Sequence, residues 1–302
     1  MSSQASSGRR WPALEPVDRM ILAFLVLLAV VAAARSPDPL SVLAGLAALA
    51  GVLLGAAALR ERVAAVRVVH DFYPLPAAIA IFNVAGPLIG AANPARWDAT
   101  FAALDQRLFG TLVTAWRSAL GRPDWLTDLA SLLYASYYVV PVAMAVALYL
   151  EGRRAEFGDA VFGFIATLLV SYAGYFLFPT TGPRVAPEVA AQVLGGGAVS
   201  AGVRAFVHFA EVNQLDAFPS GHTALSLVFL AYGWRLFPRW RLPFLLATSG
   251  IIFSTVYLSW HYVVDLVAGA VQAACMAWLA PALRRAFGGR TRPAPAADPA
   301  AS

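Results

Sequence analysis

Two short polar motifs interrupt the apolar stretches of this chain, and each places a histidine where an apolar segment begins. Residues 216–223 contain His222, and residues 260–265 contain His261 and Asp265. Side chains four residues apart on a helix are neighbours, so Asp265 can contact His261. A carboxylate can fix the tautomer of one imidazole and raise its basicity, while a second imidazole protonates a leaving oxygen. This combination favours phosphoryl transfer.

The composition is that of a membrane protein. Of the 302 residues, 60% are hydrophobic and 13% are charged, and the mean hydropathy is +0.67, which is too apolar for a soluble domain. The net charge of +5 comes from 22 Arg residues without any Lys. Because these arginines are dispersed, no nucleic-acid partner is expected. The single Cys275 lies in an apolar run and is expected to be a buried structural thiol.

Eight apolar stretches predict an all-α, polytopic membrane helix bundle. They cover residues 20–34, 40–59, 72–90, 125–150, 157–178, 242–258 and 261–283, with the sixth starting at residue 221. The first could instead be a signal peptide with a cleavage site at residues 32–34, but a chain with this many later spans has little need of one. We therefore expect a cytoplasmic N-terminus with two accessory spans (1–70), a six-span catalytic core (71–285) and a disordered tail (286–302).

Two connections between the spans have their own character. Residues 92–124 carry apolar side chains every three or four positions, which predicts an amphipathic helix lying at the membrane surface. Residues 185–215 include three consecutive glycines at 195–197. They are interpreted as a mobile connection, and as a lid over the site.

The distribution of arginine fixes the expected orientation. With a cytoplasmic N-terminus, 15 of the 22 arginines fall on the cytoplasmic side, as the positive-inside rule requires. Those residues are Arg9, Arg10, Arg19, Arg60, Arg62, Arg67, Arg153, Arg154, Arg235, Arg239, Arg241, Arg284, Arg285, Arg290 and Arg292. The C-terminus is then also cytoplasmic, and the protein is expected in the cell membrane.

In this orientation Arg184, His222, His261 and Asp265 all lie at the extracytoplasmic surface. Ionisable groups at span ends inside a bundle are functional candidates by default, because burying them is costly. Four of them, from three separate segments, converge at one depth. His70 and His208 lack such neighbours and are interpreted as structural.

The motifs resemble the membrane branch of the type 2 phosphatidic acid phosphatase superfamily over residues 71–283. The matching residues are Pro183-Arg184, then Pro219-Ser220-Gly221-His222, then His261-Tyr262-Val263-Val264-Asp265 followed by Ala268-Gly269. The resemblance implies that His261 is a nucleophile forming a phosphohistidine, with Asp265 as its orienting partner and His222 as general acid. Arg184 and the backbone amides near Ser220 and Gly221 would hold the phosphoryl oxygens.

Two cations of the family pattern are missing. Phosphatases of this family usually carry a Lys seven residues before the first-motif Arg and an Arg six residues before the nucleophilic His. Here those positions are Leu177 and Thr255. A phosphomonoester dianion would be poorly neutralised in such a site, whereas a singly charged phosphodiester suits one Arg better.

The residues around the first motif resemble a sub-branch, the fungal inositol phosphorylceramide synthases, with sphingomyelin synthases more distant. The similarity lies in Phe-Pro-Thr-x-x-Pro-Arg at 178–184 and in Asp98 and Asp105 upstream, whereas Gly221 is phosphatase-like. The resemblance implies headgroup transfer from a membrane phospholipid donor to a lipid or polyol alcohol, or to water. No metal or other cofactor is expected, because the candidate residues contain no carboxylate cluster. The alternatives are a lipid phosphate phosphatase acting on phosphatidate or a polyprenyl (di)phosphate, and a non-enzymatic transporter.

Overall fold

The computed structural model describes residues 14–110, 115, 118–185 and 195–289. Within these ranges the chain is helical and contains no β-strand, which confirms the predicted all-α class. The helices are α1 (Pro16–Arg35), α2 (Pro39–Leu59), α3 (Ala64–Phe72), α4 (Pro74–Ala92), α5 (Asp98–Phe109), α6 (Asp124–Leu150), α7 (Arg154–Leu177), α8 (Ala198–Ala210), α9 (Gly221–Leu236), α10 (Arg241–Tyr257) and α11 (Val263–Ala286). Short 3-10 turns cover Pro183–Val185 and Pro238–Trp240.

Six of the described helices, α1, α2, α4, α6, α7 and α11, are long and apolar enough to cross a bilayer. The chain is therefore a multi-pass membrane protein. The predicted sixth and seventh spans correspond to α9 and α10, which have 16 and 17 residues. Both are shorter than the roughly 20 residues that a bilayer core normally requires, so a total of eight spans stays a prediction.

Helix α7 lies at the centre of the bundle. It is packed against α1, α4, α6, α9 and α11, and its Phe162, Phe164 and Ile165 are almost fully buried. A helix that is apolar on every side belongs in such a central position. Because α7 contacts so many neighbours, it fixes the relative positions of the helices that carry the candidate site.

The outer surface of the bundle also carries large apolar side chains. Val139, Leu150 and Trp278 are all more than 60% exposed, as expected for side chains that face lipid. Cys275 is also exposed, so the prediction of a buried thiol was wrong. The physical reason is that positions facing the protein core and positions facing the acyl chains are both apolar, so the sequence of a spanning helix does not distinguish them.

Both of the unusual connections are partly helical. Part of the segment 92–124 forms the predicted helix, as α5. Part of the connection 185–215 is helical, as α8, and residues 186–194 lie outside the described residues. The mobility of this connection and its role as a lid stay predictions. The start of α8 is held by Asp128 of α6, whose Oδ1 accepts hydrogen bonds from the amides of Gly197 and Ser200, both 2.9 Å long.

Glycine is required at the start of α8. A Cβ atom at position 197 would lie 2.7 Å from Oδ2 of Asp128, and Gly196 has φ of +104°. The glycine run thus permits a close approach and a positive φ angle rather than only flexibility. The disordered tail was predicted over residues 286–302. Ala286 is the last residue of α11, and residues 290–302 lie outside the described residues.

Candidate active site

His261 is buried, and its Nδ1 atom has two acceptors. The carbonyl oxygen of Ala217 lies 2.9 Å from Nδ1, and Oδ2 of Asp265 lies 3.3 Å from it. A carbonyl oxygen can only accept, so Nδ1 carries the proton and donates it. The Nε2 atom of a neutral His261 then keeps its lone pair, which is the state that a nucleophile needs.

Asp265 is fully buried within the first turn of α11. Its Oδ2 atom also accepts from the backbone amide of Tyr262 at 2.8 Å, which caps the helix. Its carbonyl oxygen accepts from the amide of Ser220 at 3.0 Å. One residue therefore orients His261, caps α11 and joins the two sequence motifs.

His222 lies opposite His261 at the start of α9. The ring centroids of the two histidines are 5.7 Å apart, and His222 packs between the rings of Tyr134 and Tyr137. Its Nε2 atom is buried and has no hydrogen-bond partner in the described part of the chain. A buried polar nitrogen without a partner is costly, so this atom is available for a bound substrate.

Small residues allow α9 and α11 to meet closely at the motifs. A Cβ atom at Gly269 would lie 2.5 Å from the carbonyl oxygen of Ser220, and one at Gly221 would lie 2.7 Å from the hydroxyl of Tyr175. The hydroxyl of Ser220 accepts from the amide of Thr223 at 3.2 Å, which caps α9. Because the Ser220 amide donates to Asp265, the Gly221 amide is the better candidate for binding a phosphoryl oxygen.

Arg184 follows the turn at the end of α7, and its guanidinium group is already paired. Its Nη2 atom donates to Oδ1 of Asp216 at 2.9 Å and to the carbonyl oxygen of Gln214 at 3.2 Å. The guanidinium carbon lies 4.8 Å from the centre of the Trp260 ring. Arg184 thus lies beside the His261 segment, and its neutralisation by Asp216 has no signal in the sequence.

Helix α5 holds two parts of the site together. Oδ1 of Asp98 accepts from the amides of Thr181 and Gly182, both 2.9 Å long, just before Arg184. Two turns further along α5, Oδ1 of Asp105 accepts from the amide of Val264 at 2.9 Å. Since residues seven apart lie on one face of a helix, α5 positions both the arginine turn and the start of α11.

Two cavities lie beside this site, one at His222 and the other at Arg184, and His261 is not among the lining residues of either. The first has a volume of about 110 Å³, is mostly apolar, and reaches His222 from between α4, α6 and α7. The second has a volume of about 280 Å³ and is more polar, with Arg184, Arg204 and Asn213 among its lining residues. An apolar cavity beside a more polar one suits an amphiphile, with part of its apolar portion in the first cavity and its polar group in the second.

Glu211 lines both cavities. Its Oε1 atom accepts from the hydroxyl of Tyr138 at 2.6 Å. Burial and the nearby charge of Asp216 raise the pKa of Glu211 to about 7. Glu211 and Asp216 are two functional candidates that the motif analysis did not single out, because neither lies at a recognisable spacing from a histidine.

Comparison with known proteins agrees with this geometry. The model of the PAP2 superfamily matches residues 99–279, which include Arg184, His222, His261 and Asp265 and begin one residue after Asp98. The chain belongs to the PAP2 superfamily. The predicted resemblance is therefore confirmed at the level of the superfamily.

Two curated proteins are similar in sequence to this PAP2 member. The phosphoinositol dihydroceramide synthase of Bacteroides thetaiotaomicron is 25% identical over 164 residues, covering 50% of this chain and 53% of that protein. A PA-phosphatase related-family protein of Dictyostelium discoideum is 23% identical over 163 residues, covering 47% of this chain and 30% of its own length. The match thus spans about half the length of the first relative and about a third of the length of the second. No solved structure matches it.

Thr255 and Leu177, which stand where related phosphatases have cations, lie in different surroundings. Thr255 is fully buried in α10, and its carbonyl oxygen accepts from the amides of Trp260 and His261 at 2.9 and 3.2 Å. It therefore forms the turn that presents His261. Leu177, at the end of α7, is 64% exposed. Because Leu and Thr are both uncharged, neither position supplies a cation to the site.

Replacing Asp98 by alanine is expected to lower turnover by about 10-fold to 100-fold, because small displacements of positioned groups have effects of this size. The two amides before Arg184 would lose their shared acceptor. Turnover and the thermal unfolding midpoint are measured together, with Asp38→Ala as control. Asp38 likewise accepts from a backbone amide, that of Ser41, at the start of α2. Equal turnover in the two variants would contradict the positioning role of α5.

Proposed function

We propose that this protein is an integral-membrane phosphotransferase that acts on a lipid phosphodiester through a phosphohistidine formed on His261. The observation that carries the proposal is the pair of histidines. The contact of His261 Nδ1 with the Ala217 carbonyl leaves Nε2 unprotonated, and the unpartnered Nε2 of His222 lies across the same site. One base and one acid are what in-line displacement at phosphorus requires.

In the first half of the reaction, Nε2 of His261 attacks phosphorus and forms the P–N bond. The bond from phosphorus to the glycerol oxygen breaks, and protonated His222 gives its proton to that oxygen, so diacylglycerol leaves. The headgroup phosphate stays on His261. Arg184 and the Gly221 amide stabilise the charge that develops on the non-bridging oxygens.

In the second half, a hydroxyl group takes the place of diacylglycerol. Neutral His222 removes the proton of this hydroxyl group, and the hydroxyl oxygen attacks phosphorus. The P–N bond then breaks, which regenerates His261. The hydroxyl belongs to a lipid or polyol alcohol, or to water. Asp265 stabilises the positive charge that the His261 imidazole carries while it is phosphorylated, through its 3.3 Å contact with Nδ1.

The charge of the site supports a diester rather than a monoester as donor. Arg184 is paired with Asp216 at 2.9 Å, so the described site has little net positive charge to offer a phosphate dianion. The synthase from Bacteroides, similar over half of this chain, supports the same class. The arginine distribution supports an active site on the extracytoplasmic face of the cell membrane, with both termini in the cytoplasm.

Gly221 favours the second candidate, a lipid phosphate phosphatase, in which water resolves the intermediate. This residue is phosphatase-like, and the structure shows that the Tyr175 hydroxyl occupies the space of a larger side chain there. A third reading, a transporter that relays protons through the histidines, does not account for Arg184 beside them.

The purified protein in liposomes, with EDTA present, is given labelled phosphatidylinositol or labelled phosphatidate together with an added alcohol. We expect diacylglycerol release from phosphatidylinositol, with the label transferred to the alcohol. Free phosphate from phosphatidate, with phosphatidylinositol untouched, would identify a phosphatase instead. Turnover of neither lipid, in protein that unfolds cooperatively, would argue for the transporter.

A further inference from the structure

A cavity of about 390 Å³ lies far from the candidate active site. Helix α7 begins at this cavity with Arg154 and ends near the arginine turn, while α11 begins beside His261 and reaches the cavity with Arg284. Each of these helices has 24 residues, which corresponds to about 36 Å at 1.5 Å per residue. The cavity and the active site are therefore at opposite ends of the bundle.

Three guanidinium groups from three different helices line the cavity. They belong to Arg67 of α3, Arg154 of α7 and Arg284 of α11. Arg284 is already paired with Asp159 at 2.8 Å, so the other two are the better candidates for binding a ligand. Arg154 lies 3.7 Å from the carboxylate of Asp71, and Arg67 lies 4.0 Å from that of Glu61, while both arginine side chains are more than half exposed. Such long, exposed ion pairs contribute little, so an incoming phosphate can replace them with shorter, bidentate contacts.

The other wall of the cavity is apolar. Val17 of α1 and Phe157, Val161 and Phe162 of α7 lie beside the arginines. The carboxylates of Glu15 and Asp71 also line the cavity, so its three arginines leave a net positive charge of one. A positive rim next to an apolar wall fits a ligand with an anionic group attached to hydrocarbon. Basic pockets between membrane helices bind the headgroups of anionic lipids for this reason.

The polar residues behind the cavity are held in place. His70 is almost fully buried, with Nε2 located 3.1 Å from Oδ2 of Asp18 and Nδ1 located 3.4 Å from Nη1 of Arg60. The hydroxyl of Tyr73 donates to the other oxygen of Asp18 at 3.1 Å. These contacts join α1, the end of α2 and α3, so the wall exists before any ligand binds.

We propose that this cavity binds the phosphate headgroup of an anionic phospholipid on the membrane face opposite to the active site. The apolar wall favours a lipid over free phosphate. Residues 15–71 supply half of the lining and precede the segment that matches the family, 99–279. The site thus gives the first helices of the chain a function: they complete a lipid site together with the ends of α7 and α11.

The test uses the full chain in neutral detergent, with phosphatidylglycerol, phosphatidylcholine or inorganic phosphate added and binding followed by native mass spectrometry and thermal unfolding. The double variant Arg67→Gln with Arg154→Gln is compared with Arg62→Gln and Arg239→Gln, which are exposed arginines outside the cavity lining. The active site could also bind an anionic lipid, so the contribution of the cavity is the difference between these two double variants.

We expect the cavity variant to bind phosphatidylglycerol at least about 10-fold more weakly than the control variant, since two charge-assisted contacts are lost. Phosphatidylcholine binding should be equal in both variants. Equal phosphatidylglycerol binding in both variants would overturn the proposal. A difference seen with inorganic phosphate but not with phosphatidylglycerol would overturn the assignment to a lipid.

Discussion

Replacing His261 by alanine is expected to lower turnover of the donor lipid by about 10³-fold or more, because no covalent intermediate can then form. The fold should tolerate the change. The turn that presents residue 261 is made by backbone contacts with Thr255, which the substitution leaves in place. Turnover is measured in liposomes, and the phosphorylated protein is sought as an acid-labile label after rapid quenching.

The companion substitution Asp265→Asn distinguishes the contributions of the two groups that accept the His261 Nδ1 proton. The Ala217 carbonyl, at 2.9 Å, is closer to Nδ1 than the carboxylate at 3.3 Å, and it can hold the same tautomer without Asp265. We therefore expect a smaller loss than for His261→Ala, on the order of 10-fold to 100-fold. Full turnover in His261→Ala would remove the proposed nucleophile, and equal losses in both variants would make Asp265 the sole orienting group.

The sequence was sufficient wherever a function depends on local spacing. His261 and Asp265 are four residues apart, so the start of one helix brings them together whatever the remaining helices do. The same holds for Ser220, which precedes an apolar helix and caps it. Local spacing does not relate Arg184 to His222. Their predicted position at one membrane depth depended on the span count together with the arginine distribution.

The sequence was insufficient wherever a contact joins distant segments through groups that carry no pattern. The acceptor closest to His261 is the backbone carbonyl of Ala217, and a carbonyl has no signature in a sequence. Asp98 and Asp105 were recognised only by resemblance, since their amide partners at Gly182 and Val264 are about 80 and 160 residues away. Cys275 was misplaced because lipid and protein interior are equally apolar.

Asp216→Asn is expected to shift the preference of the enzyme toward phosphomonoesters. The substitution removes the carboxylate that lies 2.9 Å from Arg184 and makes the site more positive by one charge. At an effective dielectric constant of 20, one unit charge about 4 Å away changes the energy of another by about 4 kcal/mol. Solvent reduces this value, so we expect about a 10-fold rise in phosphatidate turnover relative to phosphatidylinositol turnover.

This variant is a milder test than restoring the two absent family cations. Thr255 is fully buried and its hydroxyl donates to the Ile252 carbonyl at 2.8 Å, so an arginine there would disturb the turn that presents His261. Asparagine at position 216, by contrast, nearly preserves the shape of the side chain. The conservative variant Asp216→Glu retains the charge and serves as the matched control.

Glu211 provides an internal check on the same argument. The charge of Asp216 contributes to the raised pKa of Glu211, about 7, so Asp216→Asn lowers that pKa and makes Glu211 more anionic at neutral pH. This change offsets part of the added positive charge. The double variant with Glu211→Gln should therefore shift the monoester preference further than Asp216→Asn alone. An unchanged ratio in both variants, with the Asp216→Glu control also unchanged, would show that charge at Arg184 does not select the donor, whichever lipid the wild-type enzyme turns over.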